Sequence, residues 1–213
     1  MSDRAFDIEK RSFEIIDAEV GKHDYDQMQW TIVRRVVHAT ADFDFATGKS
    51  KIIFHPRAIE SSFSAMKNRC AVVCDVDMVL AAINKKSLAD LGLRPRCYIS
   101  DVLLAEESRK SGRTRSELAM RHASGEINGG IVVIGNAPTA LFELIRMIKE
   151  GTVMPALIIG IPVGFVSAPE SKEELAKLDV PFITNSGRKG GSPAASSTIN
   201  AVMILYQTMK SSA

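Results

Sequence analysis

A chain of 213 residues with 46% hydrophobic and 24% charged residues has the composition of an ordinary globular protein. A net charge of +2 is too small to mark a nucleic-acid binder. No apolar run approaches the length of a transmembrane helix, and the N-terminal MSDRAFDIEKRSFEII carries acids and lacks the apolar core of a signal peptide. A cytoplasmic location is therefore expected. The three cysteines, Cys70, Cys74 and Cys97, cannot all pair, and the simplest expectation is reduced, buried thiols.

In chain order, Ile8 to Val20 reads as a helix with Ile8, Phe13, Ile15, Ile16 and Val20 as apolar positions and Gly21 as its end. Asp24 or Asp26 caps a second helix to about Thr40, with Arg34, Arg35 and His38 on its last turns. A third helix follows His55-Pro56, from Arg57 to about Met66. From Cys70 onward the character changes to alternating strand and helix. Ala71–Cys74 is a short apolar strand ending at Asp75, and one helix runs on to about Leu91. Arg96–Ile99 is a second strand, and helices cover about Val102–Ser111 and Arg115–Ser124.

The next stretch organises the rest. Ile131–Ile134 is bulky and apolar without alternation, as suits a parallel strand covered on both faces. Gly135-Asn136-Ala137-Pro138 breaks it, with Asn136 as candidate N-cap and Pro138 in the first helical turn. The helix ends at Gly151, and Ala156–Gly160 is the next buried strand. Ser167 and Glu170 then fit a capping box for a helix to about Leu178. A strand at Pro181–Thr184, a loop over Asn185–Pro193 and a last helix, Ala194–Met209, complete the chain. The expectation is an α/β fold. A single domain over residues 1–213 holds a mostly parallel sheet of about five strands, covered by helices on both faces, with the helical N-terminal segment packed on it. In such sheets ligands bind at the carboxyl ends of the strands.

Several chemistries lack their motifs. No G-x-G-x-x-G follows the first strand and no P-loop exists, so nucleotide cofactors find no support. Ser61, Ser62 and Ser64 form no nucleophile elbow. Among four histidines, His23 reads as a surface residue, His55 as part of a turn and His122 as a member of a charged helix. None has zinc-ligand spacing, so no metal site is expected. His38 alone ends an amphipathic helix beside two arginines, where the bland alternative is a surface histidine favoured by the helix dipole. Two loops are locally basic, Arg109–Ser116 and Gly187–Ser192. Each is either solvated or a clamp for carboxylates, which arginine grips bidentately. The second loop precedes the final helix, whose exposed N–H groups suit an anion. Asp75 stands at a strand's carboxyl end, as a site residue or as the N-cap of the next helix.

The words IEKRSFEII, RRVVHATAD, CDVDMV, GRTRSELAM, IGNAPTAL, IGIPVGFVSAPESKEEL and GRKGGS, in this order, resemble the precorrin-8X methylmutase family of cobalamin biosynthesis across almost the whole chain. The resemblance implies an isomerase that moves a methyl group from C11 to C12 of a corrin precursor through a sigmatropic shift. No redox cofactor is needed. The family's proton-donating histidine matches His38. Ser12, Arg35 and Arg115 match positions lining the tetrapyrrole pocket, and Asp75, Asn136 and Arg188 join them as weaker substrate-binding assignments. A homodimer and a polycarboxylate corrinoid substrate are implied, with RCYISD (Arg96–Asp101) leaning toward the cobalt-bearing branch. A non-catalytic corrinoid-binding or channelling protein on the same fold is the alternative.

Overall fold

The computed structural model describes residues 3–211. Six strands form one sheet: β1 (Ile52–Phe54), β2 (Ala71–Cys74), β3 (Arg94–Cys97), β4 (Ile131–Ile134), β5 (Leu157–Gly160) and β6 (Phe182–Asn185). Their order is β1-β6-β5-β4-β2-β3. Strands β2 to β6 run parallel, and β1 is added antiparallel against β6, with Ile53 facing Thr184. The five expected strands are present, and β1 is a sixth that the sequence reading left out. Strand β3 begins earlier than expected, at Arg94. It is an edge strand, so Pro95 breaks no interior ladder and exposed arginines alternate along it.

Alternation explains why the inner strands are apolar throughout. Val72, Cys74, Ile131, Val133, Leu157 and Ile159 face one buried layer, while Ala71, Val73, Val132, Ile134 and Ile158 face another. With helices on both faces, neither set meets water. The first layer contains α2 (Gln27–Thr40), α3 (Ala58–Lys67), α4 (Asp77–Ala82) and the 20-residue α11 (Ser192–Ser211), with α2 lying along α11. The second is built mainly by α9 (Pro138–Lys149), flanked by α7 (Arg115–His122) and α10 (Ala168–Ala176). Helix α1 (Asp3–Val20) packs on α2. Of its expected apolar positions Ile16 is buried, but Ile8 and Ile15 are exposed, as is Phe6.

Local signals settle several helix ends. Asp26, not Asp24, caps α2, in a reciprocal box with Gln29. Asn84 caps α5 (Lys85–Leu91) and so divides the single helix expected after Asp77 into two. Two expected caps fail. Asn136 lies one residue before the N-cap of α9, which is Ala137 without a side-chain bond. Ser167 adopts a left-handed conformation, φ 68°, and its hydroxyl caps nothing. Helix α6 (Val102–Ser111) and the short α8 (Ser124–Ile127) complete the set.

The buried apolar layers set the stability. Leu144, fully buried in α9, should on truncation to Ala lower the unfolding free energy by about 2–5 kcal/mol. Urea denaturation followed by circular dichroism measures that loss, and a value under about 1 kcal/mol would mean this layer is loosely packed.

Candidate active site

Sheet order places the site. After β2 the chain adds β3 on one side, then returns to add β4 on the other. The carboxyl ends of β2 and β4 therefore flank a topological switch point, the crevice where open α/β sheets hold ligands. Asp75 sits there, one residue past β2, and is 0% exposed. One of its oxygens accepts from the N–H of Gly135 at 3.1 Å. The other accepts from Asn136 and Ala137, each at 2.8 Å. Burial pushes its carboxyl above the ordinary range, and these backbone N–H groups oppose that rise. Val76, not Asp75, is the N-cap of α4. The expected role of Asp75 as a substrate contact gives way to a structural one, because both oxygens are buried and occupied. It shapes the turn that exposes Asn136, whose side chain is left open to solvent.

Gly135 lets the switch point close. A Cβ there would lie 2.9 Å from Ser192 Cα and 2.9 Å from Val79 Cγ2, so only glycine lets α11 start against the end of β4. Beside this contact opens a largely apolar pocket of about 290 Å³, lined by Ala39, Met78, Ser192, Pro193 and Ser197. It joins the last turn of α2 to the carboxyl edge of the sheet.

His38 is on that last turn, next to Ala39, and is exposed. Its ring meets Phe13 edge-on at 5.3 Å. Among the described residues neither of its nitrogens is hydrogen-bonded. Phe13 also underlies the guanidinium groups of Arg34 and Arg35, at 4.4 and 5.1 Å from the ring centre. Arg35 pairs with Glu9 at 2.8 Å, whereas Arg34 turns away to Asp17 at 2.8 Å. Glu9, Ser12 and Phe13 share one face of α1 by their three- and four-residue spacing. Ser12 donates to the Ile8 carbonyl within its own helix at 2.8 Å. Thus Arg35 and His38 come together over Phe13 at the α1–α2 surface, with Ser12 on the same face of α1 as Phe13.

The basic loop after β6 docks onto the end of α2. Lys189 Nζ lies 2.7 Å from Asp42 and 2.8 Å from Asp44, just past that helix. Gly190 passes so close to the next loop that a Cβ would come within 2.4 Å of the Ile161 carbonyl oxygen. The guanidinium of Arg188 lies 5.4 Å over Phe165, which is 83% exposed. The other basic loop divides its arginines. Arg113 joins Arg121 and Arg146 around the buried carboxylate of Glu143, so it is structural. Arg115, at the start of α7, is exposed and has no ion pair among the described residues. Thr114 links it to the same edge through a 3.1 Å bond to Thr139 in the first turn of α9.

Comparison with known proteins fits this geometry. Residues 7–205 match the sequence profile of the precorrin-8X methylmutases. The chain belongs to the precorrin-8X methylmutase family. A cobalt-precorrin-8 methylmutase of Priestia megaterium is 52% identical, over 93% of this chain and 87% of that one. One from Leptospira interrogans is 44% identical, over 93% and 92%. The crystal structure of a precorrin-8X methylmutase from Thermus thermophilus superposes with a TM-score of 0.86 at 34% identity, covering 95% of this chain and 96% of that one.

In this member of the family the remaining candidates fall away from the edge or into structural roles. His23 is not a plain surface residue. It is half-buried and stacked on Trp30 at 4.1 Å. His55 approaches Asp179 at 3.3 Å, and His122 packs edge-on against Tyr98 at 4.7 Å. All three cysteines are free. Burial raises the Cys70 thiol to about 11 and that of Cys97 to about 12, and lifts Cys74 well up, so none is a ready nucleophile. Among the described residues no three His, Cys, Asp or Glu side chains gather as a metal site, and no helix is long and apolar enough to cross a membrane. Sequence reasoning missed Glu9, Phe13 and Lys172 as members of the site. For Lys172 a signal existed: Ala168, Ser171, Lys172 and Leu175 form one buried stripe at helical spacing.

Asp75→Ala should strand three N–H groups in the protein interior, lowering stability by about 3 kcal/mol or more. Asp75→Asn should lose less, since one amide oxygen still accepts. Equal, small losses in urea denaturation would show that these bonds do not hold the turn.

Proposed function

We propose that this protein is an isomerase of cobalamin biosynthesis that moves a methyl group from C11 to C12 of cobalt-precorrin-8, giving cobyrinate. The C11–methyl bond breaks as the C12–methyl bond forms, and no atom is gained or lost. His38 donates a proton to the macrocycle as the methyl migrates and recovers it afterwards. The observation that carries this reading is the placement of His38. It is an exposed imidazole with no hydrogen-bonding partner among the described residues, one position before Ala39, which lines the switch-point pocket. Imidazole is the side chain best suited to exchange a proton near neutrality. A positioned acid of this kind contributes about 10²- to 10⁴-fold in rate.

The remaining residues grip the substrate. Arg35 leaves Glu9 for a peripheral carboxylate, and Ser12 lies beside it on the same surface. Arg115 and Arg188 hold further carboxylates along the edge, and Asn136 presents its amide above the turn that Asp75 fixes. No redox cofactor takes part. The cobalt-bearing substrate is favoured because the relatives that share 52% and 44% identity are both named cobalt-precorrin-8 methylmutases. A pocket of about 290 Å³ holds one edge of a corrin ring, not all of it. A homodimer is therefore part of the proposal, with the exposed Phe6, Ile8 and Ile15 of α1 as apolar surface for a second copy to cover. A cytoplasmic reaction is part of the proposal.

His38→Ala should keep corrinoid affinity and lose turnover by about 10²-fold or more. Spectra recorded separately with cobalt-precorrin-8 and precorrin-8X read this directly, and near-normal turnover in the variant removes His38 from the mechanism. Tight binding by the wild type with no conversion of either substrate would point instead to a carrier. Arg115→Ala should raise KM about tenfold with little change in kcat. An unchanged KM takes Arg115 out of the substrate's grip.

A further inference from the structure

Lys172 is the one lysine of α10's buried stripe, 1% exposed. Its ammonium donates to Asn185 Oδ1 at 3.1 Å and to the Lys189 carbonyl at 2.8 Å. Both acceptors are neutral. An ammonium has three donors, and the third finds no acceptor among the described residues. No carboxylate pairs with it either. On its own helix Glu170 and Glu173 are exposed, while Glu174 pairs with Lys149 and Lys177. From α9, Glu143 is held by three arginines. In the loop above, Arg188 lies over Phe165 and Lys189 is held by Asp42 and Asp44. A buried charge without a counter-ion is costly, and proteins keep few of them. Here burial lowers the Lys172 ammonium to about 8.

The position of this charge gives it a use. The Lys189 carbonyl also accepts from Asn185 Nδ2 at 2.9 Å, so Lys172 and Asn185 together fix it from below. That orients Lys189 toward Asp42 and Asp44 and leaves Arg188 at the rim. We infer that Lys172 is a positioning residue, a buried cation that shapes the loop 186–191 and supplies the positive field that draws a substrate carboxylate onto it. The inference rests on the proposed corrinoid reading, in which the missing counter-ion is one of the substrate's own carboxylates. Lys172 does not touch the reacting carbons, so its effect falls on binding rather than on the methyl shift.

Linkage gives the sign of the pH effect. As pH rises through about 8 the free protein loses the Lys172 proton, and an anionic ligand must recover it on binding. Cobyrinate affinity of the wild type should weaken as pH rises through about 8, approaching about a tenfold loss per pH unit well above it. The test measures cobyrinate binding by absorbance titration from pH 7 to 9.5, with KM and kcat for cobalt-precorrin-8, in the wild type and in Lys172→Met. The variant should show KM raised about tenfold, kcat within about threefold, and a flat binding profile. If the variant does not fold, the wild-type profile decides alone, and flat affinity up to pH 9.5 overturns the inference. A wild type that turns over normally, matched by Lys172→Met in KM and pH profile, overturns this inference and leaves the functional reading standing. A wild type that neither binds nor converts a corrinoid overturns both.

Discussion

The carboxylate of Asp75, tied to three successive backbone N–H groups, is the interaction on which the functional edge depends. It spans the switch point and joins the end of β2 to the turn after β4. Those N–H groups point out of a strand end into a region packed against α11, where water cannot serve them. Without an acceptor the turn would have to open, and the start of α11 at Ser192 would lose its seat on Gly135. The pocket lined by Ala39 is bounded by α11, α4 and the last turn of α2. One buried acid thus sets the spacing of the pocket walls without reaching the pocket.

The chemistry is kept apart from this frame. Strands buried on both faces cannot hold polar groups along their length, so reactive and charged side chains collect at strand ends and on the helices that overhang them. His38 and Arg35 stand on α2, outside the sheet, with Phe13 as an apolar floor beneath both. That floor limits how far the imidazole and the guanidinium can swing, which preserves orientation before a ligand arrives. The link from Lys189 to Asp42 and Asp44 fastens the basic loop to the same helix end. On the proposed reading, the grip on the carboxylates and the proton donor therefore belong to one mechanical unit.

Where neighbouring residues in the chain decide a structure, the sequence was a good guide. The run Ile131–Ile134, the break at Gly135 and the Pro138 helix start come from local chemistry, and the strand, turn and helix stand there. Where distant residues decide, it was silent or misleading. Asp75 looks like an N-cap because caps are local, yet its partners are about sixty positions away. Strand β1 is three residues long and exists because β6 offers an edge, which no periodicity within Ile52–Phe54 reports. The caps expected of Asn136 and Ser167 are absent as well: α9 starts one residue later than Asn136 would cap it, and Ser167 stands in a left-handed conformation. Arg113 and Arg115 stand two residues apart in one basic segment, and only the fold shows that Glu143 claims the first and leaves the second free.

Charge placement gives the edge its character. Arg115, Arg188 and Lys172 have no ion pair among the described residues, and all three stand at or beneath the carboxyl end of the sheet. Between them lie glycines that let another surface approach backbone closely and apolar side chains turned outward, among them Phe165, Val166 at 81% exposure, and Met78. A surface of this kind is poorly satisfied by water alone. Its apolar part is better covered by a flat hydrophobic body, and its unpaired cations are better neutralised by anions at that body's perimeter. A corrin ring bordered by carboxylates has that distribution, with the apolar plane inside and the charge outside. A small mono-anion would satisfy one arginine and leave the lip bare, and a neutral macrocycle would cover the lip and bury the cations unpaired. The two demands together select the ligand class more narrowly than either does alone.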